Sequence, residues 1–596
     1  MLTKHFSGTI AVIFMAAVLL VGGLISLPAM QTVEAAISVG QTGTQTNTCG
    51  LIFVPVLCTN DQNNEVTVTP TPVATQNIDI TGTQNTDQSN TCDDDDGSEC
   101  LNVVEIDFGN ALFLAHDQAA DVLVESFGQD INQANTCLLF DPCVNGAINL
   151  FEIFAEDDDG ILATGTDVHV GSSVQDINQL NDCDGVLPPD PLCLNFGINI
   201  LMLGALEDGD INLGESIQSV EQQNDCDNGT VTCYNIGPEF QNVLLVTSDG
   251  PNAEVNLDTN TQQASEGNVC AVDGTRCINT GVNFAELTAL DEAEVDINDN
   301  KQTFEQNNLC DNTGLFPSAC HNHDAINFHD VDAADTSTVE GSNLQQKFQS
   351  NDCTDAFCGN TGVNINDIEA AGESSVESDT SQTDIQSNTG TFVESVNTAG
   401  SSNEIKATDS ASVYSDTEQS NTQTNGCGFA TDCFNTAGNT NVETASGESE
   451  LTTDNDQNNK QGNTCEDGFC DNIGSNSKDT STEDEAEVDS ESDQSNKQGN
   501  DCDGGVSDCD NGGSNNIEID AVDESNVKAD NDQSNDQNND CDNGSDCDNS
   551  NDNNVDIDAD NEDEVDVETD QDSEQDNDCD NGGGCSNSGS NSVNIG

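Results

Sequence analysis

The stretch Q-S-N-D-Q-N-N-D-C-D-N-G-S-D-C-D-N, from Gln533 to Asn549, decides the fold because close versions of it recur along the chain. In each copy an Asn stands two residues before a first Cys, and a second Cys follows after four to nine intervening residues. The pattern uses all 26 cysteines. The consecutive pairs are Cys49 and Cys58, Cys92 and Cys100, Cys137 and Cys143, Cys183 and Cys193, Cys226 and Cys233, Cys270 and Cys277, Cys310 and Cys320, Cys353 and Cys358, Cys427 and Cys433, Cys465 and Cys470, Cys502 and Cys509, Cys541 and Cys547, and Cys579 and Cys585.

The spacing of the pairs predicts how they bond. Successive first cysteines are 37 to 46 residues apart, except for one interval of 74 residues between Cys353 and Cys427. At its midpoint the same text recurs with Gly390 and Ser395 in the two cysteine positions. A ladder of bonds between repeats would leave two neighbouring cysteines unpaired there, so each pair is predicted to form a disulfide within itself. The chain is predicted to contain about fourteen repeats, with a period near 44 and later near 38.

The composition restricts the class of protein. The 596 residues include 113 acids and nine bases, a formal net charge of -104, with 4% aromatic residues and no Trp. A single globular core of this size needs more large apolar side chains, whereas a repeat protein needs only contacts between neighbouring units. The negative charge repels nucleic acids and anionic lipids, so neither is an expected partner.

Residues 1–36 are predicted to be a secretory signal, with Lys4 before an apolar run and a small-residue cleavage site at Val33-Glu34-Ala35. An uncleaved anchor is the alternative, and no membrane span is expected after cleavage. The even cysteine count is typical of an oxidising, extracellular compartment. Residues 37–390 are expected to form the more apolar repeats. Residues 391–596 are expected to form highly acidic repeats, with partial disorder as their alternative state.

Within a repeat, apolar and polar residues alternate, as in N-N-V-D-I-D-A-D-N-E-D-E-V-D-V-E at residues 553–568. This period of two predicts strands, and no helix is expected after the signal. Repeated strand-turn-strand units bury their apolar faces by stacking, so the predicted fold is an elongated all-β solenoid, one coil of two or three short strands per repeat. Like residues would then form ladders. One such column is Asn60, Asn102, Asn145, Asn195, Asn235, Asn279, Asn322, Asn360, Asn397, Asn435, Asn472, Asn511, Asn549 and Asn587.

Turn geometry, which Asn tolerates well, is the alternative explanation of that column. The Gln and Asn spacing, seen at Gln175, Gln179 and Asn181, resembles that of curlin repeats, the subunits of bacterial functional amyloid. The resemblance covers the Gln/Asn half of each repeat, and curlin repeats are shorter and lack both cystines and this acidic load. It implies an extracellular fibre or matrix role and no site residues.

Three clusters are candidate metal ligands. Two are the acidic runs Asp93, Asp94, Asp95 and Asp96, and Asp157, Asp158 and Asp159, which suit calcium because it prefers oxygen ligands. The third is His321, His323 and His329, which would share one face of an extended strand and could bind zinc or copper. Solvated acidic turns and surface histidines are the alternatives. Variable cysteine spacing argues against a zinc cage.

No catalytic motif occurs, so the protein is not expected to be an enzyme, and no cofactor is required for catalysis. The first functional hypothesis is a secreted structural protein of a cell-surface fibre, sheath or adhesive matrix. The alternative is an acidic extracellular scaffold that binds calcium or templates mineral. Cations and end-to-end self-association are the expected partners.

Overall fold

The computed structural model is an all-β solenoid in which each coil adds one level of strand to each of two facing sheets. This confirms the predicted fold, and no helix occurs among the residues that the structure describes. Those residues are 35–595, apart from the segments 50–56, 61–63, 69–77, 93–98, 104–109, 118–121, 139–142, 157–165, 185–191, 208, 229–231, 237–239, 271–274, 312–317, 392–393, 429–431, 467, 504–507, 523–524, 543–545, 560–563 and 580–584.

Both sheets are parallel. The 14-stranded sheet A contains β1 (Ala35–Cys49), β4 (Ile78–Cys92), β7 (Val122–Leu138), β9 (Thr166–Asp184), β11 (Gly209–Asn228), β14 (Glu254–Cys270), β16 (Glu294–Asp311), β18 (Thr338–Thr354), β20 (Ser375–Thr391), β22 (Ser412–Cys427), β24 (Glu450–Glu466), β26 (Glu487–Asp503), β28 (Asn526–Asp542) and β30 (Glu564–Cys579). Sheet B contains β2 (Leu57–Asn60), β3 (Asn64–Val68), β5 (Glu99–Val103), β6 (Asn110–Asp117), β8 (Cys143–Glu156), β10 (Leu192–Leu206), β12 (Thr232–Ile236), β13 (Asn242–Asp249), β15 (Arg276–Leu290), β17 (Ser318–Ala334), β19 (Ala356–Gly372), β21 (Ser395–Asp409), β23 (Cys433–Gly447), β25 (Phe469–Glu483), β27 (Asp508–Val522), β29 (Asp546–Ala559) and β31 (Cys585–Ile595).

Equivalent residues of successive coils lie directly over one another. In sheet A, Cys226 pairs with Cys270, and in sheet B, Cys193 pairs with Cys233. Parallel strands paired in this way are about 4.8 Å apart. The predicted stacking of like residues on like residues is therefore confirmed.

Most coils contain two strands, within the expected two or three, but the expectation that these strands are short is wrong. From β14 onward, each level of each sheet is one long strand, typically of 15 to 17 residues, such as β18 and β25. Inward and outward residues alternate through the Gln- and Asn-rich segment as they do through the apolar segment. The strand can continue there because hydrogen bonds stabilise the inward amides. Only the levels of β2 and β3, β5 and β6, and β12 and β13 are divided among the described strands of sheet B.

The core between the sheets changes in character across its width. Near the tight turn that leads from sheet B to sheet A, the inward residues are aliphatic, as at Leu203, Val246 and Val295. A separate aliphatic cluster, including Ile519 and Val555, continues this part of the core in the acidic repeats. Towards the other edge the inward residues become Gln and Asn, and cystines close the edge.

The tight turns place residues in the left-handed backbone region, where Gly, Asn and Asp are the least strained residues. Gly447, for example, has a φ of 78°, and a Cβ there would lie 2.7 Å from the carbonyl oxygen of Asp409 in the preceding coil. The turn residues with positive φ are Glu207, Gly250, Asn252, Asp291, Glu292, Asp335, Thr336, Gly372, Asp409, Gly447, Asp484 and Glu485.

Candidate functional site: the polar core and the acidic face

Two columns of inward Gln side chains run along sheet A. The first column contains Gln84, Gln129, Gln175, Gln218, Gln262, Gln302, Gln345, Gln382, Gln419, Gln457, Gln494, Gln533 and Gln571. The second column, four residues further along each strand, contains Gln88, Gln133, Gln179, Gln222, Glu266, Gln306, Gln349, Gln386, Gln423, Gln461, Gln498, Gln537 and Gln575.

Most Gln amides in these columns bond in two directions. Gln175 Nε2 donates to Gln129 Oε1 of the preceding coil at 2.9 Å and to the carbonyl oxygen of Ile200 across the core at 2.9 Å. Gln218 repeats both bonds, to Gln175 Oε1 and to the carbonyl oxygen of Val243. The amide nitrogen thus uses both of its protons, which is how a polar group can be buried without a large penalty.

The predicted Asn column is confirmed as a ladder. Asn145 Nδ2 donates to Asn195 Oδ1 of the following coil at 3.0 Å, and Asn195 Nδ2 donates to Asn235 Oδ1 at 3.0 Å. The same contact continues coil by coil to Asn587. These residues lie within strands, so turn geometry does not explain the column. The side chains of Asn60 and Asn102 lie outside the described residues.

Glu266 is the one acid in the second Gln column. Its side chain is 1% exposed, and Gln306 Nε2 donates to its Oε2 at 2.8 Å, while Gln241 Nε2 donates to its Oε1. Burial raises the pKa of Glu266 well above its ordinary value, and the two amide donors oppose this only in part. Burial therefore makes the charged form of Glu266 less favourable in the folded chain than in the unfolded chain.

Disulfides close the cystine edge of the core, as the sequence predicts. Their Cα atoms are 6.2 to 6.9 Å apart. Cys585 is also disulfide-bonded, whereas the side chains of Cys49, Cys58, Cys92, Cys100 and Cys579 lie outside the described residues. The bonds join Cys137 to Cys143, Cys183 to Cys193, Cys226 to Cys233, Cys270 to Cys277, Cys310 to Cys320, Cys353 to Cys358, Cys427 to Cys433, Cys465 to Cys470, Cys502 to Cys509, and Cys541 to Cys547.

The cystines of neighbouring coils touch. The Sγ atoms of Cys183, Cys193 and Cys226 lie within 4.8 Å of one another, and four similar groups follow. The column is interrupted at one coil, where Gly390 and Ser395 take the two cysteine positions. Ser395 Oγ is buried there without a hydrogen-bond partner in the part of the chain that the structure describes. Cystines therefore form two separate clusters along the solenoid.

Two lysines that the sequence analysis did not single out are fully buried with acids. Lys347 Nζ lies 2.5 Å from Asp384 Oδ2, and Lys478 Nζ lies 3.5 Å from Glu443 Oε1. The signal for them is parity: where a strand has no register shift, inward positions lie an even number of positions along the chain from its cysteine position. Lys347 precedes Cys353 by six residues, and Lys478 follows Cys470 by eight.

The prediction that His321, His323 and His329 share one face of a strand is wrong. His321 and His323 lie on the outer side of β17, whereas His329 is buried with 3% exposure. One extra residue in β17 between Asn322 and Ala325, relative to β19, shifts the register and reverses which side later residues face. No described group of three potential ligand atoms contains these histidines.

The environment of His329 fits a structural role. Its Nδ1 lies 2.8 Å from Asn366 Oδ1 in the next coil. Burial lowers the pKa of His329 to about 4, with the hydrogen bond to Asn366 opposing the shift. The ring is therefore neutral at ordinary pH and continues the polar stacking of its column. The acidic runs Asp93–Asp96 and Asp157–Asp159 lie outside the described residues.

The outer face of sheet A carries an ordered array of carboxylates, here called the acidic lattice, which the sequence analysis did not identify. Stacking places like positions about 4.8 Å apart along the axis, and positions two residues apart are about 6.6 Å apart along a strand. The first column is Asp379, Asp416, Asp454, Glu491, Asp530 and Glu568. The second is Glu418, Asp456, Asp493, Asp532 and Asp570.

Carboxylates of the acidic lattice raise the pKa values of their neighbours by electrostatic repulsion. Partial burial raises the pKa of Asp456, and the neighbouring carboxylates Asp493 and Asp454 raise it further. The pKa of Asp416 is raised in the same way, first by partial burial and then by the carboxylates of Asp454 and Asp379. Two unit charges about 4.8 Å apart repel by about 0.9 kcal/mol in water before screening. Cations that bridge neighbouring carboxylates would relieve this repulsion.

A separate acidic column, which is not part of the acidic lattice, lies on the outer face of sheet B. It stacks Glu286, Asp330, Asp367 and Glu404 on successive coils. Partial burial, followed by the nearby carboxylates of Asp332, Asp367, Glu286 and Glu369, raises the pKa of Asp330 to about 8.

Comparison with known proteins yields no family, no curated protein and no solved structure that matches the chain. Within the described residues, no helix is both long and apolar enough to cross a bilayer. The disulfides fit an oxidising compartment outside the cytosol.

Proposed function

We propose that the protein is a secreted structural repeat protein of a cell-surface fibre, sheath or adhesive extracellular matrix. The observation that carries this proposal is the continuity of the core. Gln and Asn ladders run from coil to coil through the described chain, and cystines brace the coils internally. A core of this kind makes a stiff rod.

The same construction supports end-to-end association. Successive coils present inward Gln and Asn residues at the same register, so a coil of a second molecule could add to a strand edge as the next coil of the same chain does. Its amides would continue the ladders, and its strands would form the usual parallel pairs. The shared Gln/Asn spacing of curlin repeats is consistent with this mode of assembly.

Electron microscopy and fibre diffraction test the structural proposal. The purified, oxidised protein is concentrated in calcium-containing buffer, and filaments as wide as a single solenoid are expected. Their diffraction should contain a reflection near 4.8 Å along the fibre axis. Monodisperse monomers at every concentration in analytical ultracentrifugation would contradict assembly.

The acidic lattice supports a second candidate function, extracellular binding of calcium or templating of mineral. Eleven carboxylates in two straight columns repeat at a nearly constant spacing, and hard oxygen ligands are those that calcium prefers. Diffuse condensation of cations on so charged a rod is expected in any case. The lattice would add ordered bridging sites to it.

Calcium binding distinguishes ordered sites from diffuse condensation. The variant Asp454→Asn, Asp456→Asn, Glu491→Gln and Asp493→Asn removes four charges from the centre of the lattice. Equilibrium dialysis at about 0.15 M salt, where exposed charges are largely screened beyond about 8 Å, should detect fewer bound calcium ions than in the parent.

The matched control removes four exposed acids that lie outside the lattice, at Glu125, Glu215, Glu221 and Asp258. It has the same net charge as the lattice variant, so diffuse condensation should be reduced equally. If both variants lose the same number of calcium ions, the lattice has no special role.

A further inference from the structure

Lys347 and Asp384 face each other on successive coils of sheet A. They are direct register partners on β18 and β20, their charged atoms are 2.5 Å apart, and both side chains are 0% exposed. Their column is apolar before them and amide-bearing after them. It reads Ile131, Ile177, Val220, Ala264, Phe304, Lys347, Asp384, Asn421, Asn459, Asn496 and Asn535.

Few other polar groups form hydrogen bonds with this pair. Among the described residues, Lys347 Nζ contacts only Asp384 Oδ2, and Asp384 Oδ1 has no hydrogen-bond partner. Besides Lys347, only Gln386 Nε2 approaches Asp384 Oδ2, at 3.4 Å. A buried ion pair recovers its desolvation cost only when further hydrogen bonds satisfy both groups. As an ion pair, this contact is therefore unfavourable.

The other buried pair is built differently. Glu443 accepts hydrogen bonds from Asn441 Nδ2 at 2.6 Å, Thr453 Oγ1 at 2.7 Å and Asn455 Nδ2 at 2.7 Å, in addition to its contact with Lys478. These donors stabilise a carboxylate. The two pairs thus provide a comparison within one chain: one is surrounded by donors and the other is not.

The amine of Lys347 is held in place from the opposite sheet. A Cβ at Gly362 would collide with Nζ and Cε of Lys347, so the absence of a side chain at Gly362 leaves the room that the amine occupies. Phe304, the register partner of Lys347 in the preceding coil, is fully buried and keeps water away from that side. The two reacting groups are therefore fixed in contact in a dry site.

We propose that Lys347 and Asp384 condense to form an intramolecular isopeptide bond between the two coils. The lone pair of the neutral Lys347 amine attacks Asp384 Cγ, and a C–N bond forms. The oxygen near Gln386 becomes the amide oxygen, and the other oxygen leaves as water with one proton from the carboxyl and one from the amine. Neither an oxidant nor a reductant is needed.

Two properties of the site favour this reaction. Groups held in contact react with effective molarities of about 10⁵–10⁸ M in favourable cases. Burial lowers the pKa of Lys347 and raises that of Asp384 to about 6, and the ionic attraction between them opposes both shifts. The neutral amine and acid are the forms that react.

The bond would lie where the cystine column is interrupted. Asp384 belongs to β20, the strand with Gly390 in the position of its first cysteine. Disulfides brace the flanking coils internally, whereas the isopeptide bond would tie this coil to the preceding one.

Peptide mapping of the full-length, reduced protein by tandem mass spectrometry tests the proposal. One branched peptide that joins Lys347 to Asp384 is expected, with a mass about 18 Da below the sum of its two chains because one water is lost. Lys478 and Glu443 should be recovered in unlinked peptides. Linear peptides containing Lys347 and Asp384, with no branched product, would overturn the proposal.

Variants provide an independent readout. In Lys347→Arg and Asp384→Ala the branched peptide should be absent. Asp384→Asn should still form the bond, with loss of ammonia, about 17 Da, instead of water. Because the parent protein is mapped directly, the proposal stays testable even if a variant fails to fold. A link at Lys478 but not at Lys347 would contradict the role assigned to the surrounding donors.

Discussion

Lys478 Nζ lies 3.5 Å from Glu443 Oε1. Glu443 belongs to a largely aliphatic column, where it lies between Ile405 in the preceding coil and Thr480 in the next. Replacement by the aliphatic residue of the column, Glu443→Ile, leaves Lys478 and several donors without their acceptor. Such a loss should reduce the free energy of unfolding by about 3–5 kcal/mol. Urea denaturation measures the change.

Glu443→Gln is the matched control, since it keeps the size and part of the hydrogen bonding. It should destabilise the protein less than Glu443→Ile. Equal stability of Glu443→Ile and the parent would mean that the buried network contributes nothing.

Glu266→Gln should stabilise the solenoid at neutral and alkaline pH. The pKa of Glu266 is higher in the folded chain than in the unfolded chain, where it is near 4.5. Its contribution is therefore fully present below about pH 4.5 and is lost as the pH rises through the raised folded value. Gln has no such loss, so we expect a gain of about 1–3 kcal/mol at pH 8 and little difference at pH 4. Urea denaturation at the two pH values measures it.

Gln349→Glu, two coils further along the same column, is the reciprocal control. It should create the pH dependence that Glu266→Gln removes. A Glu266→Gln variant with the same pH profile as the parent would contradict the assignment.

The double variant Gly390→Cys and Ser395→Cys should form the missing disulfide. Cys353 and Cys427 flank position 390, and Cys358 and Cys433 flank position 395, so the coil already has the backbone of a cystine-bearing coil. Closure of a loop this short should add about 2 kcal/mol if the bond is unstrained. Thiol titration and urea denaturation measure the bond and the gain. The single variant Ser395→Cys should contain a free thiol and gain nothing comparable.

Asp330→Asn should stabilise the protein most at high pH. Because the pKa of Asp330 is raised from 3.8 to about 8, its contribution to stability is present below pH 3.8 and is lost as the pH rises to about 8. We expect Asp330→Asn to be about 1–2 kcal/mol more stable than the parent at pH 9, after allowance for its partial exposure, and nearly equal at pH 4. Thermal unfolding across this range measures the difference.

Asp352→Asn is the control for Asp330→Asn. It removes the same charge from an exposed position whose register partners are Leu309 and Thr389. Its effect on stability should be small at every pH. Equal effects of the two variants would attribute the gain to net charge alone.

Thr336→Gly should stabilise a tight turn. Thr336 has a φ of 72°, a conformation that a β-branched residue adopts only at a cost. Gly removes this strain at an exposed site, although it makes the unfolded chain more flexible. We expect a net gain of about 0.5–1 kcal/mol by urea denaturation. Gly447→Ala, which introduces a Cβ at a φ of 78°, should have the opposite sign.

The sequence predicts those features that repeat. Cys137 and its equivalents reveal the period, the alternation reveals strands, and the absence of both cysteines at Gly390 and Ser395 reveals pairing within a repeat. Asn145 and its column follow from the same register. Position-specific repetition is strong information because each residue reports the environment of all its equivalents.

Features confined to one coil could not be predicted as well. The extra residue in β17 makes His329 face the opposite side from His321. The only sign of it in the sequence is one residue more between Asn322 and Ala325 than between their partners in β19. Lys347 and Asp384 are hard to recognise from the sequence because charged side chains usually face solvent. Counting parity from Cys353 and from Gly390 would have placed both inside.

The opposite donor directions of the two kinds of ladder have an electrical consequence. Gln amides donate towards the preceding coil, whereas Asn amides donate towards the following coil. An α-helix accumulates a macrodipole because all its peptide dipoles point the same way. Here the side-chain dipoles oppose each other, and those of strands largely cancel as well. The solenoid can therefore gain coils without an increasing difference in electrostatic potential between its two ends.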